Sequence, residues 1–391
     1  MKRVLLSLLA LLPISTFAQY NPETLRTPVA QPSQRAEIIL PTIDGYNIYK
    51  TDLHTHSVYS DGDVTPAFRV REAYYDGLDA IAITEHLEYR RHEGNMLKFL
   101  KGYTNGKVVK AKNTDLIKHQ CPKDGIMSDQ NYPVEEAIRE SKKFGILVIP
   151  GTEITREPVK VGHFNALFTT DNNAIYDPDA LQSIRNAKAQ GALIQHNHPG
   201  WRRTTCAKTK FEVKAYEAGL IDGIEVANGG SFYTTVIDRA INENLFMAAN
   251  SDIHVGTAET YALKGQLRNM TLILAKECTL EALKEALEAK RTIAYSGGYI
   301  TGKAELLNKL FLASVKHEIV RTNRDGSCTI ALTNMSSFAY TFKTSENANP
   351  ITIKPFNTIQ MGVDKSRVLN LTLTNMFCGL NTHPTVELKI K

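Results

Sequence analysis

Short apolar runs alternate with helical patterns over residues 46–300, and this alternation restricts the fold more than any other property of the chain. Strands read over 46–50, 78–84, 146–150, 162–169, 192–195, 223–226, 246–250 and 271–274. Between them the pattern predicts helices over 65–76, 134–144, 179–190, 211–218, 236–243 and 279–289. Several ends are marked: Pro66 at a first helical position, Thr279 as an N-cap, and Gly77, Gly145 and Gly191 as stops. Runs such as 78–84 are largely apolar, as expected of strands covered on both faces. The chain is therefore expected to be α/β, with a parallel barrel whose active site lies at the C-terminal ends of its strands. Residues able to do chemistry should collect at those ends.

They do. His54 and His56 stand two apart after the first strand, and Ser60-Asp61-Gly62 is turn chemistry able to swing Asp61 back over the same mouth. The next strands end in Thr84-Glu85-His86 and Gly151-Thr152-Glu153. His163 opens a strand, and the two that follow lead into His196-Asn197-His198-Pro199-Gly200 and Ser251-Asp252-Ile253-His254. Of 11 histidines, only His92, His119, His317 and His383 lie elsewhere. One histidine at a strand end is commonly a satisfied polar residue. Seven, together with Asp61, Glu153 and Asp252, call for metals. Imidazole and carboxylate without thiolate suit Zn, Mn or Fe, and about nine ligands imply two or three divalent ions with a bridging carboxylate such as Glu153.

These motifs, in this order, resemble the PHP family, named for polymerase and histidinol phosphatase. The resemblance covers residues 46–300 and implies a distorted (β/α)7 TIM-like barrel with up to three metals. Carried over by position, one metal takes His54, His56, Glu153 and Asp252. A second takes Glu153, His163 and His198, and a third takes Asp61, His86 and His254. His196 points the same way as His198 along a strand and is left to contact substrate. Glu85 stands where many members have Asp.

The expected chemistry is that of an exported phosphoesterase, in which a hydroxide held between metals attacks phosphorus in a small phosphodiester or monoester. Glu153, Asp252 and His196 are the candidate catalytic residues, the last two as proton donors to the leaving group. Arg156, Arg202 and Arg203 follow metal motifs and are candidate phosphate clamps; Tyr59 and Trp201 are candidates to line the pocket. The alternatives are an amidohydrolase-like metal hydrolase on the same barrel, or a non-enzymatic surface- or carbohydrate-binding protein. The net charge of +5 and the lack of a basic aromatic stripe speak against a nucleic acid polymer.

The remaining segments have their own character. Residues 1–18 read as a signal peptide, with Lys2 and Arg3 before an apolar run and cleavage near Ala18, so a secreted, periplasmic protein is expected. No other run is long enough to span a membrane. Residues 19–37 form a polar arm, and 90–130 a basic insertion, either a cover for the mouth or a solvated excursion. Residues 311–391 read as a small C-terminal all-β sandwich. The architecture resembles most the Sb-PDE-type phosphodiesterases of the family. Export permits a disulfide between Cys328 and Cys378.

Overall fold

A computed structural model describes residues 34–100, 102–109 and 126–391. The segment expected to be a signal peptide, most of the arm, Cys121 and residues 110–125 of the insertion lie outside the described residues.

One curled sheet organises the chain. Its strands are β1 (Asn47–Asp52), β2 (Ala80–Ile83), β3 (Leu147–Thr155), β4 (His163–Leu167) and β5 (Leu193–His196). They continue with β6 (Gly223–Asn228), β7 (Phe246–Asn250), β8 (Met270–Ala275), β9 (Thr292–Ser296), β10 (Tyr299–Gly302) and β11 (Met376–Phe377). The ladder runs β7-β6-β5-β4-β3-β2-β1-β8-β9-β10-β11, with Ser231–Phe232 paired to β6 outside that path.

The expected parallel barrel is corrected to a mixed one. The pairs β1–β2, β2–β3, β5–β6 and β6–β7 are parallel. In contrast, β4 runs antiparallel to both neighbours, and β8 runs antiparallel to β1. The cause at β4 is connection length: residues 156–162 are too few for a parallel crossover, which takes about a dozen. β9 and β10 form a further antiparallel hairpin at the left-handed Gly297 and Gly298.

The sheet curls until β7 meets β8 and β9, and side chains make the seam. Met247 N–H donates to Thr292 Oγ1 (3.1 Å) and Ala249 N–H to Thr271 Oγ1 (3.0 Å). Asn269 donates from Nδ2 to the Asn250 carbonyl at 3.0 Å. These bonds satisfy an edge that would otherwise lack partners. Gly223 permits the close approach of β6 and β7, because a Cβ there would come within 2.2 Å of the Phe246 ring.

The helices pack outside, held at their starts by side-chain caps. Thr65 accepts from Phe68 N–H before the helix Pro66–Tyr75, and Thr279 from Ala282 N–H before Leu280–Glu288. Thr209 and Glu212 form a capping box on Lys210–Glu217.

Beyond the barrel lie two small antiparallel sheets. One orders Val315–Thr322, Cys328–Asn334 and Thr358–Val363; the other orders Ile351–Ile353, Tyr340–Lys343, Val368–Leu373 and Thr385–Lys389. Their inner side chains, among them Ile330, Leu332, Phe342 and Leu371, belong to the same core as Leu272, Ile293 and Ile300 of the curled sheet. Phe338 stacks on Tyr295 with ring centroids 4.2 Å apart. The helix Ala304–Ser314 buries Leu307, Leu310 and Phe311, and β11 pairs with β10. The Cys328–Cys378 disulfide is not present: both are free thiols, Cys328 buried within its strand and Cys378 following β11.

Candidate metal centre

The ends of six strands meet in one cleft. β1 delivers His54 and His56, and the turn after it folds Asp61 over them. Gly62 closes that turn, its N–H bonded to the Ser57 carbonyl at 2.9 Å, and a Cβ there would press within 2.9 Å of the His56 backbone. β2 delivers His86, β3 Glu153, β4 His163, β5 His198 and β7 Asp252 with His254.

Glu153 sits at the centre, fully buried. Its Oε1 lies 3.2 Å from His163 Nδ1, 3.4 Å from His54 Nε2 and 3.5 Å from His198 Nε2. Its Oε2 pairs with His86 Nδ1 and lies 3.8 Å from His56 Nε2. Asp252 Oδ1 is 3.3 Å from His54 Nε2 and 3.1 Å from His56 Nε2. Asp61 Oδ1 is 3.3 Å from His86 Nε2 and 3.2 Å from His254 Nε2, and no hydrogen bond among the described residues satisfies it.

Four overlapping groups have ligand atoms within 4.8 Å of one another. They are His56, Asp61, His86 and His254; His54, His56 and Glu153; His54, His198 and Asp252; and Glu153, His163 and His198. A divalent ion with ligands at about 2.0–2.2 Å fits such spacings, so the donor set suits metals. The sharing of Glu153, His54, His56 and His198 between groups places them side by side.

The electrostatics are those of a site built to hold cations. Burial opposes ionisation of Glu153, yet His86, His163 and His54 hold its carboxyl well below the usual range. Asp61 and Asp252 are held down in the same way, by His86 and by His54 respectively, against the cost of burial. Burial draws His56 down to about 3, with His86 and His254 adding to the effect. Burial also pulls on His86, but Glu153 and Asp61 raise it to about 10.

Two of the candidate ligands sit on strained backbone. His198 has φ +25° and Asp252 φ +50°, values uncommon for residues with a Cβ. Glu225 Oε2 accepts the His198 N–H at 2.6 Å, and the His54 carbonyl accepts the Asp252 N–H at 2.9 Å. The His198 backbone also explains the fate of His196. Alternation along β5 stops at its last residue, so the two rings do not share a face. His196 is instead enclosed against the outer helix, with Nε2 3.0 Å from Glu212 Oε1 and Nδ1 2.9 Å from Tyr216 Oη. It does not line the cleft, which corrects its assignment as a proton donor.

The candidate substrate residues divide. Arg156 is buried on Glu88 (2.8 Å), the Asp177 carbonyl and Ser183. Arg203 joins Glu212 at 2.6 Å and the carbonyls of Pro158 and Pro199. Tyr59 donates to Glu136 at 2.7 Å behind the site. All three are engaged in the framework rather than in the cleft. Arg202 does line the cleft, beside Trp201 and Tyr89, in a space of about 430 Å³.

Glu225 is not singled out by the strand-end pattern, yet it is the pivot of the inner layer. Buried mid-strand in β6, its Oε1 lies 2.9 Å from His54 Nδ1 and accepts from Asn250 Nδ2 at 2.9 Å. Its signal in the sequence is a lone carboxylate within the apolar run Gly223-Ile224-Glu225-Val226. Arg69 is another such residue: its guanidinium donates to the carbonyls of His56, Ile253 and Val255, tying two ligand loops together.

A model of the PHP domain matches residues 52–300. A solved two-domain protein from Bacteroides vulgatus, containing a predicted PHP-like metal-dependent phosphoesterase, is 33% identical and covers 92% of this chain and 100% of its own, with a TM-score of 0.78. An amidohydrolase from Chromobacterium violaceum is 14% identical over 54% of this chain and 89% of its own, with a TM-score of 0.36. The lesion-specific endonuclease Q of Pyrococcus furiosus is 15% identical over 70% of this chain and 63% of its own, with a TM-score of 0.39. No curated protein matches the chain.

Proposed function

The chain belongs to the PHP domain family, and on that premise we propose that it is an exported metal-dependent phosphoesterase acting on small phosphodiesters. The observation that carries the reading is the convergence of nine imidazole and carboxylate side chains in four overlapping groups, six of them lining a single cleft and three buried beneath it. Divalent ions held there supply Lewis acidity to phosphoryl oxygens and a nucleophile at neutral pH.

The protein's own groups do the rest. Glu153 holds imidazoles from four strands at fixed spacing. Asp252, kept ionised, suits ligation or accepting a proton and is a poor acid for the leaving group. Arg202 brings to the cleft a guanidinium that makes no hydrogen bond or ion pair among the described residues. One unpaired cation matches the single charge of a diester better than the double charge of a monoester, and the narrower Sb-PDE-type resemblance leads the same way. The basic and apolar N-terminus supports export, and no described helix is long and apolar enough to cross a membrane.

The test pairs metal analysis of the purified protein with hydrolysis of bis-p-nitrophenyl phosphate and p-nitrophenyl phosphate. Bound Zn, Mn or Fe with preferred diester hydrolysis is expected. No metal and no activity after adding these ions would reject the enzyme; activity on the monoester alone would make it a phosphatase. Glu153→Gln should lose metal and activity together.

A further inference from the structure

Trp201 is the chain's single tryptophan, and it stands at the mouth of the cleft rather than in a core. It remains 39% exposed, while its ring lies 5.3 Å from both the His163 and the His198 rings. Ring contacts to these two histidines cover part of the indole, and the rest stands open to the cleft, where a large aromatic is free to meet a ligand. Arg202 rests its guanidinium 4.6 Å from the indole centroid, and nothing else among the described residues holds that cation. Tyr89 and Tyr233 line the same cleft, and Tyr89 lies 5.0 Å from the His86 ring. Gly229 and Gly230 add backbone alone to the lining, and a Cβ at Gly230 would meet nothing within 4 Å.

We propose that Trp201 is a stacking platform for the leaving group, so that the preferred substrates are phosphoesters of planar aromatic or heteroaromatic ring systems. This deepens, and rests on, the phosphoesterase reading. A phosphoryl group over the ligand cluster places its ester substituent near an indole about 5 Å from two of those ligands. The guanidinium of Arg202 shifts from the indole to a phosphoryl oxygen, because a charge-assisted hydrogen bond is stronger than an exposed cation–π contact. That movement uncovers the indole face for the ring of the substrate. Aliphatic esters would keep the contact to Arg202 and forgo the stacking.

Phosphonates separate the two contributions, since their P–C bond is not hydrolysed. Metal-loaded protein is titrated with phenylphosphonate, cyclohexylphosphonate and methylphosphonate by calorimetry, with Trp201 fluorescence as a second readout. Base–aromatic stacking energies correspond to roughly fivefold or more in affinity. Phenylphosphonate should therefore bind at least about fivefold more tightly than the other two and alone change the indole emission strongly. Trp201→Leu should abolish that advantage and leave methylphosphonate binding within about twofold, which a general loss of folding would not do. A nucleoside methylene-phosphonate binding more tightly than phenylphosphonate would assign the ring to a nucleobase, and weaker binding to a phenol; both support the platform. Equal binding of the phenyl, cyclohexyl and methyl compounds would overturn it while leaving the phosphoesterase intact. Failure of all of them to bind would instead remove the reading on which it rests.

Discussion

The Nε2 atoms of His54 and His56 lie 3.0 Å apart, within hydrogen-bond distance. Burial pushes down the proton affinity of each ring. In His54 the neighbouring Asp252, Glu225 and Glu153 overcome this and raise it well above the ordinary value. His56 falls to about 3. A proton therefore favours the His54 ring over the His56 ring, in a space that ligation would give to a cation.

Metal loading should consequently release protons. At pH 8 His86, raised to about 10, carries a proton that must leave on ligation, and the upward shift of His54 adds to the release. Calorimetry of zinc binding in buffers of different ionisation enthalpy should show release of at least about one proton. Affinity should rise with pH toward about 10, the value for His86. Binding that releases no protons would contradict the assignment.

The same shift sets the stability of the metal-free protein. His86 rises from 6.5 to about 10 on folding, so its contribution is fully present below about 6.5 and lost as pH climbs through 10. The melting temperature of chelator-treated protein should fall between pH 7 and pH 10. The metal-loaded protein should fall less, because a cation then stands where the proton stood.

Glu225→Gln should weaken metal binding about 10–100-fold, since a partner that orients a ligand histidine is worth that much. The measurement is competition with a chelator, read beside thermal unfolding, because donors sit on both Glu225 oxygens and the glutamine nitrogen cannot accept from those it faces.

His196 and His198 give a contrast. His198→Ala should remove metal and most activity. His196→Gln should leave metal content unchanged and kcat within about tenfold, while lowering stability by about 1–3 kcal/mol because Glu212 loses a buried partner. Equal loss of activity in both variants would return His196 to the cleft.

Thr271→Val tests the seam of the barrel. It removes the hydroxyl that accepts from Ala249 N–H and leaves that donor buried without a partner, at about 1–3 kcal/mol. Urea unfolding should show the loss without a change in metal content.

How much of this was legible in the sequence depended on the range of the interaction. Phe246–Asn250 is marked by its own apolar run and by the Ser251 that ends it, and the candidate ligands gather where strand ends predict them. Direction is less legible. Nothing local to His163 says that its strand runs backward; the short link from Glu153 does. Partners distant in sequence are hidden altogether. Arg156 and Arg203 follow metal motifs, but Glu88 and Glu212 claim them across the fold. The alternation rule failed at His198 because a left-handed backbone angle interrupts it.

The pairing of β11 with β10 has a consequence for dissection of the chain. A fragment ending near residue 305 would keep every ligand of the cleft. It would nevertheless expose Tyr295 where Phe338 now covers it, bare the outer edge of Tyr299–Gly302, and divide the helix Ala304–Ser314. Such a fragment would be an aggregation-prone torso rather than a minimal enzyme. Inheritance of the catalytic half is thereby tied to its C-terminal companion: a recombination event that exchanges one must supply a matching strand and a matching aromatic face from the other.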